Sequence, residues 1–138
     1  MDGLKTTQVL PISGCIAGFA HQSDGRSVLE LFGPQGQPLA VFSNSLLDSS
    51  ALRGGWRGFG VGPWAVAIGV QRGPDPTSVR FYGRKRLVRP TFRVVLPAVA
   101  LGDFWVAEAA GTFSGVEVVA YGRRTGTRLT PIGRLIRS

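Results

Sequence analysis

The sequence predicts an all-β fold, most simply an antiparallel β-sandwich, with a small closed or half-open β-barrel as the alternative. Three observations carry that expectation. Apolar and polar residues alternate with period two through most of the chain, the pattern of strands with one face buried. Turn formers punctuate the alternation, with 20 Gly and 9 Pro in 138 residues and no collagen-like period. Hydrophobic residues make up 43%, enough for a core, and a chain this long buries about two-thirds of its unfolded surface. The whole of 1–138 is therefore read as one β domain, with a Gly-rich connector at about 53–62.

Taken in order, the expected strands are Gln8–Ile12, Cys15–His21, Ser27–Phe32 and Pro38–Phe42. They continue with Trp64–Gln71, Ser78–Tyr82, Thr91–Pro97, Phe104–Ala109, Gly115–Tyr121 and Thr127–Ile132. Asp24-Gly25, Pro34-Gln35-Gly36, Gly73-Pro74-Asp75-Pro76 and the run Gly122 to Gly126 supply the turns between them. Only "SNSLLDSSAL", residues 43–52, suits a helical turn, with Ser43 or Ser45 as its N-cap. The "RGGWRGFGVG" that follows has five glycines in ten residues and is expected as a connector.

Three stretches overlay: "CIAGFAHQSDGRSVLELFG", "AVAIGVQRGPDPTSVRFYG" and "FWVAEAAGTFSGVEVVAYG". Each has an apolar strand, a turn, a Ser-led entry and a second strand closing on Gly, which predicts three consecutive hairpins. Trp64 and Trp105 begin equivalent strands and are expected to fill a shared core. The stretch "FRVVLPAVALGDFWVAEAAGTFSGVEVVAYGRRTGTRL", and more faintly residues 61–88, resembles strand pairs of immunoglobulin-like β-sandwich domains common in actinobacterial proteins. That resemblance rests on packing and turn residues, so it implies a sandwich and no activity. Gly122-Arg123-Arg124 follows Tyr121 where relatives commonly carry an acidic residue, so the cation-binding loops of some of them are not implied.

The formal charge is +8, and its location is informative. Residues 1–69 hold four basic and four acidic groups, whereas residues 70–138 hold twelve basic and four acidic ones. Such asymmetry suits an anionic partner, although fourteen of the sixteen basic residues are Arg, as a GC-rich coding bias also produces. No stretch approaches the roughly 20 apolar residues of a membrane span, and the N-terminus is a poor signal peptide. The chain is expected to be soluble, and cytoplasmic if Met1 is native. Cys15 is the single cysteine; within "SGCIAGFA" it is expected to be buried and inert.

Catalytic chemistry finds little support. His21 is the one histidine and falls at the end of an expected strand. "GTFSG" spaces Gly111 and Ser114 by three, which is not a nucleophile elbow. Glu108 and Glu117 are expected as cross-strand neighbours in the last hairpin, used for ion pairing with Arg123 and Arg124 rather than as a glycosidase pair. "GFGVG" has no following helix to supply a phosphate site. No enzyme, no metal and no cofactor is expected.

Binding is better supported. Arg80, Arg84, Lys85, Arg86, Arg89 and Arg93 fall within fourteen residues, interleaved with Phe81, Tyr82 and Phe92. Alternation puts Arg80 and Tyr82 on one face and Val79 and Phe81 on the other. With Arg123 and Arg124, they make residues 80–93 and 123–137 a candidate face for nucleic acid or another polyanion, Arg on phosphate and Tyr82 stacked on a base. Against this stands a plain reading, in which Phe81 and Phe92 are core and the Arg groups face water. A second candidate is Arg53, Trp56, Arg57 and Phe59, aromatics beside Arg in the Gly-rich run, as protein interfaces favour. The sequence thus points first to a non-catalytic binding or assembly module engaging a protein partner or a second copy of itself.

Overall fold

Thirteen strands and no helix form among the residues that the computed structural model describes: 5–21, 27–43, 52–70, 78–84, 90–95, 99–101, 104–120 and 123–132. The first sheet is an antiparallel meander of β1 (Lys5–Val9), β2 (Ile16–His21), β3 (Ser27–Phe32) and β4 (Pro38–Ser43). The second contains β5 (Gly54–Phe59), β6 (Pro63–Val70), β9 (Val99–Leu101), β10 (Phe104–Ala110) and β13 (Thr130–Pro131), in the order β13-β5-β6-β10-β9. The third contains β7 (Ser78–Arg84), β8 (Pro90–Val95), β11 (Gly115–Ala120) and β12 (Arg123–Arg128), in the order β12-β11-β7-β8. All pairings are antiparallel except the short β13–β5 bridge.

The all-β sandwich expectation holds, and the second sheet is its middle layer. Along β6, large residues (Trp64, Val66, Ile68, Val70) alternate with Ala65, Ala67 and Gly69, and both sets are buried. The large set packs with Phe104 and Val106 against Leu10, Ala17, Phe19, Leu29 and Leu31 of the first sheet and its turn. The small set faces the third sheet, in one cluster with Trp105, Val79, Phe81, Val116 and Val118. A strand covered on both faces reads as a continuous apolar run, which explains "WAVAIGV" and "FWVAEAA".

Trp64 and Trp105 are both buried, at 2% and 0% exposure, but they do not share a core. Register decides this, because Trp105 stands opposite Gly69 and Trp64 opposite Ala110. Opposed residues share a face, so Trp105 takes the side where Gly69 leaves room and Trp64 takes the other.

The three look-alike stretches also part company. β2 and β3 form a hairpin. β6 and β7 lie in different sheets, as do β10 and β11; instead β6 pairs with β10 and β7 with β11. The Gly-rich run is a strand as well, since Gly54–Phe59 is β5, paired along its length with β6. Arg123–Gly126, expected as a turn, lies in β12, where hydrogen bonding to β11 sets the conformation. Ser43 closes β4, and the remaining residues of the expected helical turn, up to 51, lie outside the described residues. Among the described residues no helix is long and apolar enough to cross a membrane.

Candidate functional site

Strand register assembles the outer face of the third sheet. β7 and β11 set Arg80 opposite Glu117 and Tyr82 opposite Gly115; β11 and β12 set Gly115 opposite Arg128 and Val119 opposite Arg124. Val79, Phe81, Val116 and Val118 are buried, so these other residues share the outer face. Tyr82, Gly115 and Arg128 thus form one row across three strands. A Cβ on Gly115 would stand 2.4 Å from Tyr82 Cζ, so the phenol ring lies over the glycine backbone.

Ser114 secures the end of that row. Its N–H donates to the Tyr82 carbonyl at 2.9 Å, and its own carbonyl accepts the Leu129 N–H at 2.9 Å. The Ser114 hydroxyl also reaches the Tyr82 carbonyl at 3.4 Å. Arg57 approaches from β5 in the middle layer. Arg57, Tyr82, Ser114 and Arg128, with Leu129 and Pro131, line a cavity of about 650 Å³. A second cavity of about 350 Å³ shares Arg57 and Pro131, and its walls include Phe59, Trp64, Phe113 and Ile132.

Trp64 belongs to core and cavity at once. Its indole packs against the β5–β6 hairpin, where a Cβ on Gly58 would stand 2.4 Å from Cζ2 and one on Gly60 3.7 Å from Nε1. The Nε1–H is buried and has no hydrogen-bond partner among the described residues. Buried donors are nearly always paired, so this one marks a place where an acceptor would be stabilising.

The carboxylates of the middle and third sheets are committed elsewhere. Glu117 accepts from Arg80 Nη1 at 3.3 Å. Glu108, 5% exposed, accepts the backbone N–H of Ile12 and of Ser13, each at 2.8 Å. The two glutamates are therefore not cross-strand neighbours: β10 and β11 sit in different layers, and Glu117 pairs with Arg80 across β7 and β11. Among the described residues, no carboxylate lies within ion-pair distance of Arg57, Arg124 or Arg128.

The residues singled out in the sequence separate accordingly. Arg80 is held by Glu117, and Tyr82 is half-buried. Arg84 closes β7, Arg123 opens β12 and Arg124 is exposed. Lys85, Arg86 and Arg89 lie outside the described residues. Arg53 stacks on Phe42, its guanidinium carbon 5.0 Å from the ring centroid. Trp56 is half-buried against the core shared with the first sheet, while Arg57 and Phe59 are exposed. The structure thus brings Arg57 of one predicted group to Tyr82 of the other, and adds Arg128, Ser114 and the Trp64 indole. Arg128 lies within the basic stretch 123–137 marked in the sequence, though it was not singled out there. The other two carried no signal, because their roles depend on neighbours distant in sequence.

The chain matches no protein-family model, no curated protein and no solved structure. Among the described residues, no group of three His, Cys, Asp or Glu side chains could hold a metal ion.

Proposed function

We propose that this chain is a non-catalytic binding module that engages a protein partner through the end formed by the β5–β6 hairpin, the 111–114 turn and the β12–β13 link. The observation that carries the reading is the hairpin tip, where Phe59 is 73% exposed and Val61 is fully exposed. Two exposed apolar side chains beside a cavity and an arginine with no described carboxylate make the composition of an interface centre. Among the described residues, the β13 ladder on the outer side of β5 pairs with Trp56 and Arg57.

The test places a photo-crosslinking amino acid at Phe59, and at exposed Val41 on the first sheet as the control, in the chain expressed in its own cells. The Phe59 position should give a discrete adduct with one protein. That protein, purified, should bind the chain about tenfold more weakly when Phe59 and Val61 are both serine, the loss expected for interface anchors. Equal adducts from both positions overturn the proposal. So does a single-stranded oligonucleotide that binds the double variant as well as the parent and weakens steeply with salt, which would assign function to the basic outer face carrying Arg124 and Arg128.

A further inference from the structure

We infer that the two cavities flanking Arg57 form one recognition site for an acidic peptide segment. A carboxylate is held between Arg57 and Arg128, and an adjacent apolar side chain rests against Phe59 and Phe113. The inference rests on the protein-binding reading and names the chemistry of the segment bound.

Charge is the first argument. Arg57 and Arg128 line the same cavity, both exposed, with no carboxylate within ion-pair distance among the described residues. Guanidinium groups stay charged throughout the physiological range and match a carboxylate fork for fork. Their backbones are well anchored. The Arg57 carbonyl accepts the Ile132 N–H at 2.8 Å, and Arg128 pairs with Gly115 at the end of the β11–β12 ladder. Gly115 contributes no side chain between Tyr82 and Arg128, which leaves the phenol ring as a floor.

The second argument is independent of charge. The second cavity shares Arg57 and is lined by Trp64, whose Nε1–H is buried against the hairpin and has no partner among the described residues. An unpaired donor there is stabilised by an acceptor, and a peptide carbonyl next to the bound carboxylate supplies one. The other walls, Phe59, Phe113 and Ile132, suit an apolar side chain.

The extent of the site argues for a peptide rather than a small acid. The two cavities lie on either side of Arg57 and share it and Pro131, so one extended segment can place a carboxylate in the first and an apolar side chain in the second. The volumes of about 650 and 350 Å³ fall in the range of ligand sites.

Nuclear magnetic resonance tests this directly, because the chain has three tryptophans and hence three indole N–H signals. With the signals assigned by through-bond correlation, N-acetyl-Leu-Glu-amide is titrated into the full chain. The Trp64 indole signal should shift saturably, with a dissociation constant on the order of millimolar for so small a probe. N-acetyl-Leu-Gln-amide should bind about tenfold more weakly, the loss expected for a charge-assisted contact. Arg57→Gln and Arg128→Gln should each abolish the preference for the Glu peptide, while Arg124→Gln, outside both cavities, should keep it. Equal binding of the two peptides, an unmoved Trp64 signal, or the same saturable shift with inorganic phosphate overturns the inference. Crosslinking at Phe59 that persists despite such a failure leaves the protein-binding reading standing; a successful titration with no crosslinked protein does the reverse.

Discussion

Glu108 shows how much a single residue organises. It sits on the face of β10 that packs against the first sheet, where an unpaired carboxylate would be costly. Its two oxygens instead accept the N–H groups of Ile12 and Ser13, docking the turn between β1 and β2 onto the middle layer. Gly14 in that turn has φ +77°, open to glycine at little cost, and the Ser13 hydroxyl accepts the Cys15 N–H at 3.1 Å. Cys15 is fully buried beside this cluster. Burial pushes its thiol up to about 11 from the usual 9.0; the Ser13 hydrogen bond opposes that rise and the Glu108 charge adds to it. The thiol should therefore resist a thiol-specific colorimetric reagent at pH 8 until denaturant is added, and immediate reaction in the native protein would contradict the burial. The linkage has a definite sign. A raised folded-state value means that the contribution is intact below about pH 9 and is lost as pH rises toward about 11. The loss amounts to about 1.4 kcal/mol for each pH unit of difference between folded and unfolded thiols. Urea midpoints measured from pH 8 to 11 should fall further in the parent than in Cys15→Ala, and parallel curves would refute the assignment.

At the scale of the element, β5 is a strand that its composition argues against, since glycine inside a strand weakens it. Its glycines are explained by close approach. A Cβ on Gly55 would stand 2.6 Å from Leu129 Cδ2, and one on Gly58 would meet three atoms of the Trp64 ring within 2.9 Å. The strand brings the chain close to large side chains, and pairing with β6 supplies the order that propensity does not. Gly58→Ala should destabilise by about 1–3 kcal/mol, the usual cost of overpacking. Gly62→Ala, in the hairpin turn with nothing within 4 Å of its added Cβ, should stay within about 0.5 kcal/mol of the parent. Denaturant unfolding compares the two, and equal losses would mean that the indole is not lodged against the hairpin.

For the whole molecule, stability is divided between two apolar layers either side of the middle sheet. Trp64 anchors the layer under the first sheet and Trp105 the layer under the third. Replacing either with Ala should cost about 3–5 kcal/mol, a large part of the roughly 5–15 kcal/mol available to a domain. Trp56 packs on the first layer from a half-buried position and should cost less. Thermal melts of the three variants rank them, and a Trp56→Ala variant that melts lowest would contradict this division of the core.

Period-two alternation and turn chemistry are properties of a residue and its near neighbours, so they were legible in the sequence. Ser27–Phe32 is a strand with the expected bounds, and Val79 and Phe81 lie inward while Arg80 and Tyr82 lie outward. Fold class and the burial of Cys15 and of two tryptophans followed from the same local signals. Which strands pair was not legible. The stretches that look like three hairpins give one hairpin and two crossings between layers, because β6 and β10 are apolar on both faces and must be covered on both. The candidate site was readable only in parts, as an arginine in a Gly-rich run and a tyrosine in a basic strand. Tertiary structure decided that they meet. The register that sets Gly115 between Tyr82 and Arg128, and the glycines that let Trp64 lie beneath the hairpin, are relations among distant strands, and no local pattern encodes the space between them.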